Sequence, residues 1–268
     1  MKTACLIVIG HVDHGKTTLV RALTGIDTDR LAQEKERGLS ITLGFAHCTL
    51  GNVALDLIDA PGHEDFTRAM VSGATGAQGA LLVVSATDGI EAQTIEHLTV
   101  ARLLDVPIVA VALTKADLVA PDDLPHRVEE VRTALSGVGI EQVPIFPCFA
   151  NQPDGLSTLT DGLETLVSHL RPAIGPQDAF LPIDRVFSLP GAGTIVTGTL
   201  LGGPLCVEAA VTLHPEGRQA RIRGLQSRGT DRAEVSIGER TAINLRGIAT
   251  DDLTRGDVLA VGDSFAAS

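Results

Sequence analysis

One loop near the start of the chain constrains the fold more than any other feature. Residues 10–17 have the sequence GHVDHGKT, which fits the pattern G-x-x-x-x-G-K-[ST] without a mismatch. The apolar run Cys5–Ile9 precedes this loop, and a helix-length stretch follows it. A loop of this kind between a strand and a helix aims its backbone N–H groups at phosphate groups. The sequence therefore predicts an α/β P-loop domain.

Apolar runs alternate with helix-length stretches through the first part of the chain, as in a mostly parallel sheet with helices on both faces. The predicted strands are Cys5–Ile9, Val53–Ile58, Ala80–Val84, Ile108–Leu113 and Val143–Phe146. The predicted helices are Thr17–Leu23, Phe66–Ser72, Ala92–Leu104, Leu124–Leu135 and Thr158–Leu170.

The pattern changes after residue 172. Two prolines and a glycine in RPAIGPQD, residues 171–178, break helix and strand alike. Short alternating runs separated by turns then predict a small antiparallel β-barrel. We expect a nucleotide-binding domain over 1–172, a linker over 173–179 and the barrel over 180–268. In the barrel, Pro182–Phe187 is expected to be one strand with Arg185 on one face and Asp184 on the other.

Composition limits the function classes. The chain has a net charge of −12, and residues 1–178 carry 12 basic against 23 acidic side chains. Proteins that coat nucleic acid nonspecifically need an excess of basic side chains. The nine arginines beyond residue 178 are nevertheless compatible with binding of one structured RNA. Four dispersed cysteines, no membrane-length apolar run and no signal peptide favour a soluble cytoplasmic protein without membrane or DNA partners.

Individual residues of the P-loop are expected to have separate roles in nucleotide binding. Lys16 is expected to neutralise the β- and γ-phosphates, and the Thr17 hydroxyl is expected to bind Mg²⁺. The residues predicted to cradle the nucleotide phosphates are Val12, Asp13, His14, Gly15, Lys16, Thr17 and Thr18.

A second element, Asp59-Ala60-Pro61-Gly62, follows the strand Val53–Ile58. Alone it would be an ordinary turn. After a strand and a P-loop it indicates a nucleotide switch, in which Asp59 holds Mg²⁺ and Gly62 lets a backbone N–H face the γ-phosphate.

A third element, Thr114-Lys115-Ala116-Asp117, closes the strand Ile108–Leu113 and resembles the N-K-x-D base-recognition element of GTPases. The Asp117 carboxylate can accept guanine N1–H and the exocyclic amine, a donor pair that adenine lacks, so GTP and GDP are the predicted nucleotides. Thr114 replaces the usual Asn, which puts the contacts that brace this loop in question. The segment Cys148-Phe149-Ala150 lies where a Ser-Ala-x loop would offer a backbone N–H to guanine O6.

These motifs together resemble a known family. GHVDHGKTTL, EKERGLSIT, DAPGHEDF, ATDGIEAQTIEHL and LTKAD are similar, in order and spacing, to translational GTPases of the elongation factor Tu class. More narrowly, TGIDTDRLAQEKERGLSITLGF, TKAD and PIDRVFSLPGAGTIVTGT resemble selenocysteine-specific elongation factors, to about Val261. The resemblance implies a GTPase that uses Mg²⁺ and carries an aminoacyl-tRNA, here selenocysteinyl-tRNA, to the ribosome.

The resemblance also implies roles for single residues. Ser40 in Arg37-Gly38-Leu39-Ser40 would be the second Mg²⁺ hydroxyl ligand. His63 would position the attacking water, with Val12 and Leu39 forming an apolar gate until a partner activates an otherwise slow hydrolysis.

In the second domain, Asp184 and Arg185 match family positions that shape the aminoacyl pocket, and Arg223 is a further candidate. An arginine suits a selenol because that group is anionic near neutral pH. The winged helix with which the family binds an mRNA hairpin is not expected in this chain, so hairpin binding is not expected either.

Two alternatives remain open on the sequence. One is an initiation-factor-like GTPase that binds initiator tRNA, and the other is a regulatory GTP-binding module without tRNA transport. The codon, the need for an exchange factor and the oligomeric state are not determined.

Overall fold

The computed structural model describes residues 2–28, 42–62, 67–150, 154–170, 178–189 and 191–262. The chain forms two compact units, Met1–Leu170 and Arg171–Ser268. Of the predicted linker 173–179, only Asp178 and Ala179 lie among the described residues. In the described ranges, every helix is too short or too polar to cross a bilayer.

The first unit is a central sheet flanked by helices. Its strands are β1 (Lys2–Ile9), β2 (Gly44–Leu50), β3 (Val53–Asp59), β4 (Gly79–Ser85), β5 (Ile108–Thr114) and β6 (Ile145–Pro147). Its described helices are α1 (Lys16–Thr24), α2 (Thr67–Ala74), α3 (Ala92–Leu103), α4 (Leu124–Gly137) and α5 (Ser157–His169). The strand order is β2-β3-β1-β4-β5-β6, and all neighbours are parallel except β2 and β3.

The central strands are largely apolar and buried because both faces of the sheet are covered. Along β1, Ile7 and Ile9 pack into one buried cluster, while Leu6 and Val8 pack into a second cluster on the opposite face. This alternation follows from the two-residue period of a strand. The predicted P-loop α/β fold is confirmed.

The sequence analysis missed β2. This strand pairs antiparallel with β3, with Gly44 opposite Asp59 and Leu50 opposite Val53. It lies at the edge of the sheet order. An antiparallel edge strand can leave side chains partly exposed, so His47 and Thr49 interrupt the apolar run on which the strand predictions were based.

The second unit is an antiparallel barrel. Its strands are β7 (Phe180–Pro182), β8 (Arg185–Leu189), β9 (Gly193–Thr199), β10 (Leu205–Cys206), β11 (Ala210–His214), β12 (Arg218–Ser227), β13 (Thr230–Arg232), β14 (Glu234–Val235), β15 (Arg240–Arg246) and β16 (Val258–Ala260). The main sheet runs β7-β16-β11-β12-β15-β9-β8. Phe180 and Leu201 exchange backbone hydrogen bonds of 2.9 and 2.8 Å, which join β7 to the chain just after β9 and close the sheet. The predicted barrel is confirmed.

The predicted single strand Pro182–Phe187 is wrong. The chain pairs with β16 up to Pro182 and with β9 from Arg185 onward. At the corner between these strands, the Asp184 N–H donates to the Thr197 carbonyl at 2.9 Å. Because the chain changes partners here, simple alternation does not set the direction of the Asp184 side chain.

Candidate nucleotide-binding site

The predicted nucleotide motifs meet at one edge of the first sheet. Val8 lies opposite Asp59, and Ser85 lies opposite Thr114, in parallel register. The carboxyl ends of β1, β3 and β5 therefore coincide, and the loops that follow them lie side by side. Such an edge is where open α/β sheets bind their ligands.

The P-loop backbone has the conformation of an anion nest. Gly10, Asp13 and Gly15 have φ values of 143°, 62° and 85°. A Cβ on Gly10 would lie 2.2 Å from the Val83 carbonyl oxygen, so only glycine fits at the start of the loop. Left-handed residues in such a loop turn successive N–H groups toward one point, where a phosphate can bind.

Lys16 is a buried cation in this loop. The residue is only 6% exposed, and its Nζ donates to the His11 carbonyl at 2.7 Å. Burial lowers its pKa to about 8, although Asp59 and Asp13 act in the opposite direction. An anionic ligand would restore the stabilisation that this ammonium loses on leaving water.

Asp59 brings the second motif against the P-loop. The Thr17 hydroxyl donates to Asp59 Oδ2 at 2.8 Å. A Cβ on Gly62 would lie 2.5 Å from Lys16 Nζ and 2.8 Å from the Val12 nitrogen. Only glycine allows this close approach, so Gly62 brings its backbone to the place where the Lys16 ammonium ends.

A cavity of about 370 Å³ joins the P-loop to the two predicted base-recognition segments. Its lining consists of Asp13, Gly15, Thr18, Leu19, Thr114, Lys115, Asp117, Leu118, Cys148, Phe149 and Ala150. Three segments that are distant in sequence, one of which is the phosphate loop, therefore line one pocket.

Thr114 braces the base-recognition loop although it replaces Asn. Its Oγ1 lies 2.6 Å from the His14 carbonyl oxygen, to which it donates, and 3.2 Å from the Val84 carbonyl oxygen. The contact ties the end of β5 directly to the P-loop. The hydroxyl thus supplies a bracing contact that the substitution had put in question.

The structure shows which backbone N–H of the segment after β6 is already paired. The Phe149 N–H donates to the Gly155 carbonyl at 3.1 Å, so the next amide along, that of Ala150, is the better candidate donor to guanine O6. A Cβ on Gly155 would lie 2.1 Å from the Phe149 carbonyl oxygen and 2.5 Å from its ring. Gly155 thereby makes room for an aromatic ring in place of a small residue. Burial raises the pKa of the Cys148 thiol to about 12, which keeps it protonated.

His97 is a residue of the site that the sequence analysis did not single out, although it lies in the ATDGIEAQTIEHL motif. Its Nδ1 accepts the Gly10 N–H at 3.2 Å. Burial, helped by the charges of Lys16 and His11, lowers its pKa to about 4. The neutral ring can therefore act as the acceptor that fixes the first residue of the P-loop.

Three predicted residues, Leu39, Ser40 and His63, lie outside the described residues. Their roles stay predictions. Val12, the other member of the proposed gate, lies in the P-loop next to Gly62.

The second unit contains a buried ion pair at the corner between β7 and β8. Arg240 donates to both carboxylate oxygens of Asp184, from Nη1 to Oδ2 and from Nη2 to Oδ1, the latter at 2.9 Å. The Thr197 hydroxyl donates to Asp184 Oδ1 at 2.7 Å. The two charged side chains are only 4% and 11% exposed. Arg240 was not predicted, because it lies 56 residues from Asp184.

The other two predicted pocket residues, Arg185 and Arg223, lie at opposite ends of the β8–β9 hairpin. Arg185 is directly opposite Thr197, and opposed residues project from the same face, so its side chain lies on the side of the ion pair. Arg223 donates to the Ala192 carbonyl at 3.1 Å, at the turn between β8 and β9. This turn is at the other end of the hairpin from Arg185, so the structure does not bring Arg223 to Asp184.

Comparison with known proteins decides the family. The model of the elongation factor Tu GTP-binding domain matches residues 1–170. The chain belongs to this family. The matched residues include the P-loop, the Asp59 segment and the Asp117 segment described above.

Relatives with curated functions extend the family match into the barrel. A selenocysteine-specific elongation factor of Desulfomicrobium baculatum is 46% identical over 252 residues, which cover 94% of this chain and 40% of the relative. The factor of the same name from Escherichia coli (strain K12) is 38% identical, covering 93% and 41%. Elongation factor 1-alpha of Methanopyrus kandleri is 32% identical, covering 97% and 71%.

Solved structures give the same result. A bacterial selenocysteine-specific elongation factor EF-Sec superposes with a TM-score of 0.90 at 35% identity, covering 97% of this chain and 45% of that one. SelB from Methanococcus maripaludis with the GTP analogue GPPNHP has a TM-score of 0.87 at 29% identity, covering 98% and 56%. The predicted resemblance is confirmed, and the chain spans about two fifths of the curated selenocysteine-specific relatives.

Proposed function

We propose that the protein is a Mg²⁺-dependent GTPase that carries an aminoacyl-tRNA, selenocysteinyl-tRNA, to the ribosome. One observation supports the nucleotide chemistry above all: a single cavity is lined by the P-loop, by Asp117 and by the segment Cys148-Phe149-Ala150. The names of the relatives that are 46% and 38% identical support selenocysteinyl-tRNA as the tRNA that the protein carries. These names do not support the two alternatives, an initiation factor and a regulatory GTP-binding module.

The residues around Thr17 and Asp59 fit Mg²⁺. Both offer oxygen donors, which this hard cation prefers. The Thr17 proton points at Asp59 Oδ2, so the hydroxyl lone pairs remain available to a cation. Ser40 would complete the protein ligands. When bound, Mg²⁺ neutralises charge on the β- and γ-phosphates.

Hydrolysis is assigned to His63, which follows Gly62 directly in the sequence. Gly62 lies against the Lys16 ammonium, which is expected to contact the γ-phosphate, and His63 is the neighbour of Gly62 in the chain. His63 would orient the attacking water, and Val12 with Leu39 would hold it back until the ribosome acts. We assign no intrinsic arginine finger, which is a reason to expect slow unstimulated turnover.

The aminoacyl group is assigned to the corner of the barrel around Asp184. Arg240 binds this carboxylate, and Arg185 projects on the same side of the sheet. The Asp184 charge also raises the pKa of Arg255, which burial lowers more strongly. The local excess of positive charge suits an anionic selenolate better than a neutral serine hydroxyl.

The test of the proposal uses the whole chain loaded with GTP. Filter binding should show tighter binding of selenocysteinyl-tRNA than of the same tRNA carrying serine, since only the aminoacyl group differs. Initiator tRNA is the second comparison. Equal binding of all three would contradict the assignment of the substrate, and tightest binding of initiator tRNA would favour the initiation-factor alternative.

A further inference from the structure

Thr28 is a buried threonine whose hydroxyl contacts the proposed metal site. The residue is 6% exposed. Its Oγ1 donates to Asp59 Oδ2 at 2.6 Å, and Thr17 Oγ1 donates to the same oxygen at 2.8 Å. Two hydroxyl protons therefore converge on one oxygen of the carboxylate.

The packing around Thr28 fixes this contact. Gly44, the first residue of β2, lies opposite Asp59 in the sheet. A Cβ on Gly44 would lie 2.5 Å from the Thr28 Cβ and 3.1 Å from the Asp59 Cβ. Thr28 thus fills the space that a side chain at position 44 would occupy. In this tight site its hydroxyl has little freedom to turn away from the carboxylate.

We infer that Thr28 is a positioning residue for the Mg²⁺ site, which it stabilises by holding the Asp59 carboxylate in place. The inference rests on the proposed Mg²⁺ dependence. A hydroxyl bond to an ionised carboxylate is stronger than a bond between neutral groups. Partners that orient metal-binding side chains commonly change metal affinity by about 10- to 100-fold when they are removed.

The consequence is specific to the metal. Without the Thr28 hydroxyl, Asp59 keeps its bond from Thr17 but loses the second hydroxyl that donates to Oδ2. Contacts of Lys16 and Asp117 with the nucleotide do not involve Thr28. The variant should therefore lose Mg²⁺-dependent retention of nucleotide while keeping the retention that needs no metal.

The experiment measures release of fluorescent methylanthraniloyl-GDP from the whole chain over a Mg²⁺ series and in excess EDTA. In Thr28→Val, the Mg²⁺ concentration that gives half-maximal retention should rise at least about 10-fold. Thr28→Ala should behave alike, which covers the case that valine disturbs folding. Thr28→Ser, which restores the hydroxyl, should lie within about threefold of the wild type. In EDTA all variants should release GDP at the wild-type rate.

The matched control is Thr165→Val, an exposed threonine on α5 that bonds only within its helix. It should leave the Mg²⁺ series unchanged. An unchanged Mg²⁺ series in Thr28→Val, equal acceleration with and without Mg²⁺, or failure of Thr28→Ser to restore retention would each overturn the inference alone. A wild-type chain whose retention ignores Mg²⁺ would overturn the proposed Mg²⁺ dependence as well.

Discussion

The two units of the chain assemble their candidate sites differently. In the first unit, loops after β1, β3, β5 and β6 meet because parallel strands end at one edge of the sheet. In the second unit, Asp184, Thr197 and Arg240 come from a strand corner and two separate strands. A parallel sheet brings contiguous motifs together through its topology, whereas the barrel cluster depends on the register of individual residues.

The electrostatics of the two sites also differ. The Lys16 ammonium is buried with a lowered pKa, so a phosphate ligand would supply much of its stabilisation. Arg240 is also buried, but Asp184 neutralises it with two hydrogen bonds. The first site is therefore arranged to gain from an anionic ligand, while the core of the second is already stabilised within the protein. Variants in one unit should leave the other unaffected.

The largest expected effect is on nucleotide choice. Asp117→Asn should weaken GTP binding by as much as roughly 10⁴-fold, since a site built on hydrogen bonds to one base rejects mismatched partners strongly. Xanthosine triphosphate, whose C2 carbonyl can accept from the new amide, should bind better than GTP. Calorimetry measures both affinities, with the exposed neighbour Asp122→Asn as the control. Unchanged GTP affinity would remove Asp117 from the site.

The second effect concerns the barrel. Arg240→Ala should destabilise it by about 3–5 kcal/mol, because the buried Asp184 would lose the guanidinium that donates to both of its oxygens. Hydrogen exchange of the β9 and β15 amides measures the loss, and GTP affinity should not change. Arg223→Ala, at an exposed arginine, is the control and should cost under about 1 kcal/mol. Equal costs for the two variants, or weaker GTP binding, would contradict the comparison.

The third effect separates hydrolysis from binding. His63→Ala should reduce ribosome-stimulated turnover by at least about 10²-fold, the scale of one positioned catalytic group. Nucleotide affinity should stay nearly intact. Single-turnover assays with ribosomes give the rate, and the exposed His126→Ala provides a matched control. Equal stimulated rates in both variants would refute the role of His63.

The smallest effect is a pH dependence of nucleotide binding. Lys16 has a pKa of about 8 in the free protein, and a bound phosphate favours its protonated form. GTP affinity should therefore be steady below pH 7. Above pH 8 it should fall, with a slope that approaches about tenfold per pH unit. Calorimetry in two buffers of different ionisation enthalpy should also show proton uptake near pH 8. Constant affinity between pH 7 and pH 9 would show that binding does not use the Lys16 charge.

The sequence by itself determined the family, the P-loop fold and the segments that line the nucleotide cavity. These are local signals: a motif of eight residues defines the phosphate loop, and Asp59 and Thr114 each end an apolar run that is a buried strand. Because parallel strands place their carboxyl ends together, the order of the motifs was enough to predict that they meet.

Only the tertiary structure decided the remaining features. It revealed β2 as a partly exposed edge strand, the break before Arg185, and the contacts of Thr28 and His97 with distant residues. It also showed that Arg240 is the partner of Asp184 and that Arg223 lies at the turn between β8 and β9. These features depend on which residues face each other across strands, and a shift of one residue would reverse every side chain. Local sequence patterns do not encode that register, because packing of the whole barrel and sheet selects it.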